Sequence, residues 1–128
     1  MPKVLIVDDE TDFLEVLSAR LKRSGYAVIT AADGKDGVSK LYSERPDLVL
    51  LDVMMPNLNG YELCRQIKSD QKLCKTPVVI LSARGQRDDV LHGKEVGADA
   101  YFMKPFDSND LISKIEHILG QVASDVYV

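Results

Sequence analysis

Leu48-Val49-Leu50-Leu51-Asp52, followed by Val53-Met54-Met55-Pro56, is the stretch that decides the fold. Four apolar residues without alternation read as a strand buried on both faces, as in a parallel sheet with helices on each side. In open parallel sheets, chemistry gathers at the carboxyl ends of the strands. Asp52 stands at such an end. Taken alone, an aspartate there reads more readily as a strand cap or turn residue. The other strand ends decide between these readings.

Upstream, Val4-Leu5-Ile6-Val7 is a first strand that runs into Asp8-Asp9-Glu10. Asp9 or Thr11 can cap a helix whose apolar face is Phe13, Leu14, Leu17 and Leu21, and Gly25 stops it. Residues 26–31 form a second strand. A helix with Gly37, Val38 and Leu41 inward ends before Pro46. Downstream of Asp52, residues 56–60 make a turn. A helix starts at Asn59 or Gly60 and buries Leu63, Cys64 and Ile67. Val78-Val79-Ile80-Leu81 is the fourth strand and ends at Ser82-Ala83. A polar loop around Gly85-Gln86 leads to a weakly amphipathic helix that ends at Gly97. Ala100-Tyr101-Phe102-Met103 is the fifth strand and ends at Lys104-Pro105. Asp107 or Ser108 caps the last helix, which turns Leu111, Ile112, Ile115 and Leu119 inward and stops at Gly120.

Five strands alternate with five helices over short connections. The expected fold is α/β, a doubly wound five-stranded parallel sheet with right-handed crossovers. The expected domain is residues 1–120, with 121–128 a tail that is either frayed or the start of a linker.

The chain has 128 residues and a formal charge of −4. That balance offers no electrostatic footprint for nucleic acid. No apolar run approaches the roughly 18–20 residues of a membrane span. Met1-Pro2-Lys3 enters the first strand at once, so no signal peptide is expected. Cys64 and Cys74 match no metal spacing. Free thiols and a cytoplasmic setting are expected.

Strand ends carry Asp8 and Asp9, Asp52, Ser82 and Lys104. Each has an ordinary explanation by itself. Acids before a helix complement its dipole, and Lys-Pro is a common turn. Together, each just beyond a strand, they converge on one sheet edge. Three carboxylates close together repel and call for a cation, and oxygen ligands with waters suit Mg²⁺. Lys104 adds positive charge and Ser82 a hydroxyl donor. That set suits a phosphoryl group carried on a carboxylate.

The chain resembles a response-regulator receiver domain of two-component signalling over residues 3 to about 119. The motifs are Val-Asp-Asp-Glu at 7–10, Leu-Asp-Val-Met-Met-Pro at 51–56 with Gly60, Leu-Ser-Ala at 81–83, Gly-Ala-Asp-Ala-Tyr at 97–101 and Lys-Pro-Phe at 104–106. The resemblance implies a flavodoxin-like fold with strand order 2-1-3-4-5. It implies Asp52 as phosphoacceptor, with Asp9, Asp52 and the backbone carbonyl of Met54 as Mg²⁺ ligands and Asp8 acting through water. It implies that Lys104 contacts the phosphoryl group and precedes a cis bond to Pro105. Ser82, where the family more often has Thr, and Tyr101 correspond to the hydroxyl–aromatic switch pair.

By the same resemblance the chain is a signalling domain rather than a dedicated enzyme. It catalyses its own phosphotransfer and a slow autodephosphorylation. The implied partners are a sensor histidine kinase or histidine phosphotransfer protein, and a downstream effector protein or domain. No membrane or direct nucleic-acid contact is expected. Ala100 stands where dimerising relatives place a second acid after Gly-Ala-Asp, although Lys114 supplies a basic residue on the last helix. A monomer, or a weak dimer that depends on phosphorylation, is therefore expected.

Three other readings compete. Aspartyl-phosphate hydrolases and transferases carry a second Asp two residues after the nucleophile, and position 54 is Met. A nucleotide or flavin binder needs a Gly-rich phosphate loop, and none follows any strand. A pseudo-receiver scaffold would lack part of the set Asp8, Asp9, Asp52, Ser82 and Lys104, all of which are present.

Overall fold

A computed structural model describes residues 1–55, 58–83 and 94–126, with the side chains of Met54, Leu58 and 121–126 outside the description. Along the chain come β1 (Lys3–Val7), α1 (Thr11–Arg23), β2 (Ala27–Ala31), α2 (Gly34–Glu44) and β3 (Leu48–Asp52). Then follow β4 (Met54–Met55), β5 (Leu58–Asn59), α3 (Gly60–Ser69), β6 (Val78–Ser82), β7 (Ala100–Met103) and α4 (Ser108–Val126). The five long strands are parallel, in the order β2-β1-β3-β6-β7. This is the expected 2-1-3-4-5 arrangement of a flavodoxin-like sheet.

Every residue of β3 is buried, as the unbroken apolar run requires. The pleat sends alternate residues to opposite faces. Val49 and Leu51 join Leu5, Val7, Ile80, Leu41 of α2 and Leu63, Cys64 and Ile67 of α3 in one core layer. Leu48 and Leu50 join Val4, Ile6, Val79, Leu14 and Leu17 of α1 and Leu111 and Ile115 of α4 in the other. Each fully buried aliphatic side chain contributes about 1.5–3 kcal/mol relative to exposure. The two layers therefore clamp the sheet and fix its edges in space.

Several local expectations need correcting. Glu10, rather than Asp9 or Thr11, is the N-cap of α1, and its side chain makes no capping hydrogen bond. Asp8 Oδ1 instead accepts from the Glu10 backbone N–H at 2.9 Å, which holds the entry turn. Gly120 does not stop the last helix, which runs on to Val126. A helical glycine costs only about 1 kcal/mol relative to alanine, less than the packed turns before it supply. Residues 56 and 57 of the expected turn lie outside the described residues, and 58–59 pair antiparallel with 54–55. Most of the helix expected before Gly97 also lies outside them. Lys94 and Glu95 are helical, and Gly97 takes φ +89. Asn59 caps α3 by accepting from the Tyr61 N–H, and Asp107 Oδ1 accepts from the Asn109 N–H at the start of α4, both as anticipated.

Candidate functional site at the carboxyl edge of the sheet

Val7 points into the α2–α3 layer, so the next residue, Asp8, points the other way, toward α1 and α4. Asp52 follows Leu51 and does the same. Both carboxylates are thus delivered to one side of the carboxyl edge by adjacent strands. Asp8 is wholly buried and Asp52 is 3 % exposed. Lys104, one residue beyond β7, reaches back across the edge. Its Nζ lies 2.6 Å from Asp8 Oδ2, 3.6 Å from Asp52 Oδ2 and 3.6 Å from Glu10 Oε1. The Lys104 backbone N–H donates to the Ser82 carbonyl at 2.6 Å, which ties the lysine to the end of β6. The Lys104–Pro105 bond is cis, as the resemblance implied.

Burial pulls the Lys104 pKa down. The hydrogen bond to Asp8 and the charges of Asp52, Asp8 and Glu10 together outweigh burial, and the net shift is upward. The ammonium therefore stays charged through neutrality. Its ionic contribution to folding is complete below the ordinary lysine value and is lost as pH climbs through the raised one.

Ligand oxygens of Asp8, Glu10 and Asp52 lie within 4.8 Å of one another. Among the described residues, one ammonium faces these three carboxylates. A group of this composition fits a small hard cation. The carboxylate of Asp9 is not part of that group, and Asp9 is exposed. The sequence pointed to Asp9 and passed over Glu10. An acid two residues into a helix entry looks like routine dipole compensation, and only the fold turns it toward Lys104.

Gly60 explains why the segment after Asp52 can close. A Cβ there would lie 2.4 Å from the Val53 Cα and 2.9 Å from the Asp52 carbonyl oxygen. The start of α3 is pressed against the very backbone that carries Asp52, and only glycine allows it. Ser82 is wholly buried at the end of β6. Tyr101 is partly buried and packs on the α2–α3 layer. Its register partner is Ile80, two residues before Ser82, so Ser82 and Tyr101 share a sheet face on adjacent strands. Met54 lies in β4, directly after Val53. Beside the acidic group opens an apolar cleft of about 370 Å³, lined by Phe13, Val16, Leu17, Pro105 and Phe106 with Glu10 and Lys104 at its polar rim.

Fold and edge together define a class: a doubly wound α/β domain with a buried aspartate on its central strand and a lysine spanning the acidic edge. The model of one family, described as the response regulator receiver domain, matches residues 4–116. The chain belongs to that family. It is 43% identical over 117 residues to a probable transcriptional regulator, ycf27, of Guillardia theta, covering 91% of this chain and 45% of that protein. It is 44% identical over 117 residues to the alkaline phosphatase synthesis transcriptional regulatory protein PhoP of Bacillus subtilis, covering 91% and 48%. The chain thus spans about half the length of these curated relatives. Among solved structures, a CheY-like response regulator receiver domain protein from Methanospirillum hungatei superposes with a TM-score of 0.90 at 29% identity, covering 98% of both chains. Among the described residues no helix is long and apolar enough to cross a membrane.

Proposed function

We propose that this chain is a phosphoacceptor signalling domain in which Asp52 receives a phosphoryl group from a histidine kinase or histidine phosphotransfer protein. The observation that carries the reading is the place of Asp52. It is buried at the end of the central strand, with its Oδ2 3.6 Å from Lys104 Nζ. An Asp52 oxygen attacks phosphorus, the O–P bond forms, and the P–N bond to the donor imidazole breaks. The imidazole leaves with the bonding pair and takes a proton from solvent. Lys104 faces the charge that develops on the phosphoryl oxygens and needs no reorganisation to do so.

Asp9, Asp52 and the Met54 carbonyl are the proposed ligands of Mg²⁺, with Asp8 acting through water. Both Asp8 oxygens already have partners, the Glu10 N–H and the Lys104 ammonium, which suits an indirect role. Asp9 is exposed and open to a hydrated ion. When bound, Mg²⁺ supplies positive charge to the phosphoryl oxygens.

Phosphorylation adds charge and acceptor oxygens at Asp52. Ser82 donates its hydroxyl to the new group, and Tyr101 follows on the next strand. The surface made by the helix expected before Gly97, β7 and α4 becomes the one that a downstream effector protein or domain reads. The phosphoryl group biases an existing equilibrium and turns over only by slow self-hydrolysis, so the chain is a switch rather than a dedicated enzyme. Residues 1–120 form the switching unit. It works in the cytoplasm without direct contact to membrane or nucleic acid, as a monomer or as a weak dimer once phosphorylated. The test is intact-mass measurement after incubation with acetyl phosphate and Mg²⁺. The parent gains the mass of one phosphoryl group and Asp52→Asn gains none. Equal labelling of the two refutes the assignment.

A further inference from the structure

Lys104 has a fourth neighbour besides its three carboxylates. Its Nζ sits over the face of Phe13, 4.0 Å from the ring centroid. An ammonium at that distance is attracted by the negative face of the ring. The ring is itself held. Phe106 meets Phe13 edge-to-face, with centroids 5.9 Å apart and planes at 90°. Phe102 meets Phe106 at 6.0 Å and 67°. Phe106 lies two residues after Lys104, so the segment that carries the ammonium also fixes the ring it rests on.

We propose that Phe13 is a positioning residue for Lys104, holding its ammonium at the sheet edge while its carboxylate partners change. The inference rests on the phosphoacceptor reading for its consequence, but not for its geometry. A divalent cation entering the edge competes with Lys104 for carboxylate oxygen, and phosphorylation alters Asp52 itself. An aromatic face neither ligates a hard cation nor titrates. Among the described contacts of the ammonium, the ring is the one that an incoming cation does not take. α1 therefore contributes more than apolar area at Phe13, because it keeps the lysine from leaving when positive charge arrives.

The test replaces Phe13 with mono-, di- and trifluorinated phenylalanine, which keep shape while draining the face of negative potential. Phe13→Tyr and Phe13→Leu complete the series. The first readout is the proton shift of the Lys104 Cε methylene, measured with and without Mg²⁺ and with no phosphodonor present. The expected result is an upfield ring shift in the parent that persists at saturating Mg²⁺. It shrinks stepwise with fluorination, survives in Phe13→Tyr and vanishes in Phe13→Leu. The second readout is the Mg²⁺-dependent labelling rate with acetyl phosphate, expected to fall in the same order and by about three- to tenfold in Phe13→Leu. A shift indifferent to fluorination, or one that collapses in the parent when Mg²⁺ is added, overturns the proposal. A parent that never labels overturns the phosphoacceptor reading instead, and the shift series still decides the role of Phe13.

Discussion

The two edges of the sheet both carry lysine–aspartate contacts, and they differ in charge balance. At the amino edge, Lys68 Nζ lies 2.8 Å from Asp99 Oδ2 and donates to the Thr76 carbonyl at 2.9 Å. The same Asp99 oxygen accepts from the Val78 N–H at 2.8 Å. One cation meets one anion, and the pair ties α3 to the starts of β6 and β7. At the carboxyl edge, one ammonium serves Asp8, Glu10 and Asp52 among the described residues. A balanced pair can only hold the fold. Carboxylates gathered around one shared ammonium at a largely buried edge repel one another, and a cation or a charge-altering reaction relieves that repulsion.

Breaking the carboxyl edge gives the largest effect. Lys104→Met leaves three carboxylates facing one another and removes the charge opposite the incoming phosphoryl group. Labelling by acetyl phosphate should fall by about two orders of magnitude, the usual scale for losing one preorganised electrostatic partner. A rate within a factor of about two of the parent would exclude Lys104 from the chemistry.

Breaking the amino edge should change stability and leave chemistry alone. Asp99→Asn removes the charge from a hydrogen-bonded and partly exposed pair, and urea melts should show a loss of about 1–2 kcal/mol. Labelling at Asp52 should match the parent once both proteins are folded. A large loss of labelling at full folding would mean that the two edges are coupled.

The metal sharpens the contrast further. Mg²⁺ at ten times its dissociation constant should raise the stability of the parent by about 1.4 kcal/mol. Asp9→Asn should lose most of that gain. If Glu10→Gln loses it and Asp9→Asn keeps it, the direct ligand is Glu10, which already stands in the carboxylate group. A melt that ignores Mg²⁺ in all three proteins would remove the metal from the account.

The smallest expected effect lies in the core between the edges. Burial pushes the Cys64 thiol up to about 11, Lys68 pulls it down less and Asp99 adds to the rise. Cys64 is fully buried while Cys74 is partly accessible, and both are free. Iodoacetamide at neutral pH should therefore modify Cys74 first. The raised value also means that folding stability declines as pH rises from the ordinary thiol range toward about 11. Equal labelling of the two thiols at neutral pH would contradict the packing of α3.

Much of this edge was legible because strand ends are legible. Runs such as Val4–Val7, Leu48–Leu51 and Val78–Leu81 announce where backbone pairing stops. Asp8, Asp52, Ser82 and Lys104 stand just there. Strand order and register could not come from those runs, because any parallel pairing buries them equally well. The resemblance to a family supplied the order. Glu10 and Phe13 escaped for a different reason. Glu10 is the N-cap of α1 and Phe13 lies in its first turn, where an acid reads as dipole compensation and an aromatic as apolar face. Their partner is more than ninety residues away, so only the closed fold shows that both address Lys104. Gly120 misled because a glycine signals a helix end only when the following residues leave the helix, and here the backbone does not.

The central claim is that the carboxyl edge exists to phosphorylate one particular carboxylate. Borohydride reduction of the acetyl-phosphate-treated protein converts an acyl-phosphorylated aspartate to homoserine, which peptide mass spectrometry then locates. The account predicts homoserine at Asp52 alone, dependent on Mg²⁺. Reduction at Asp8, Asp9 or Glu10, or no reduced residue under conditions that phosphorylate other members of the family, would contradict it.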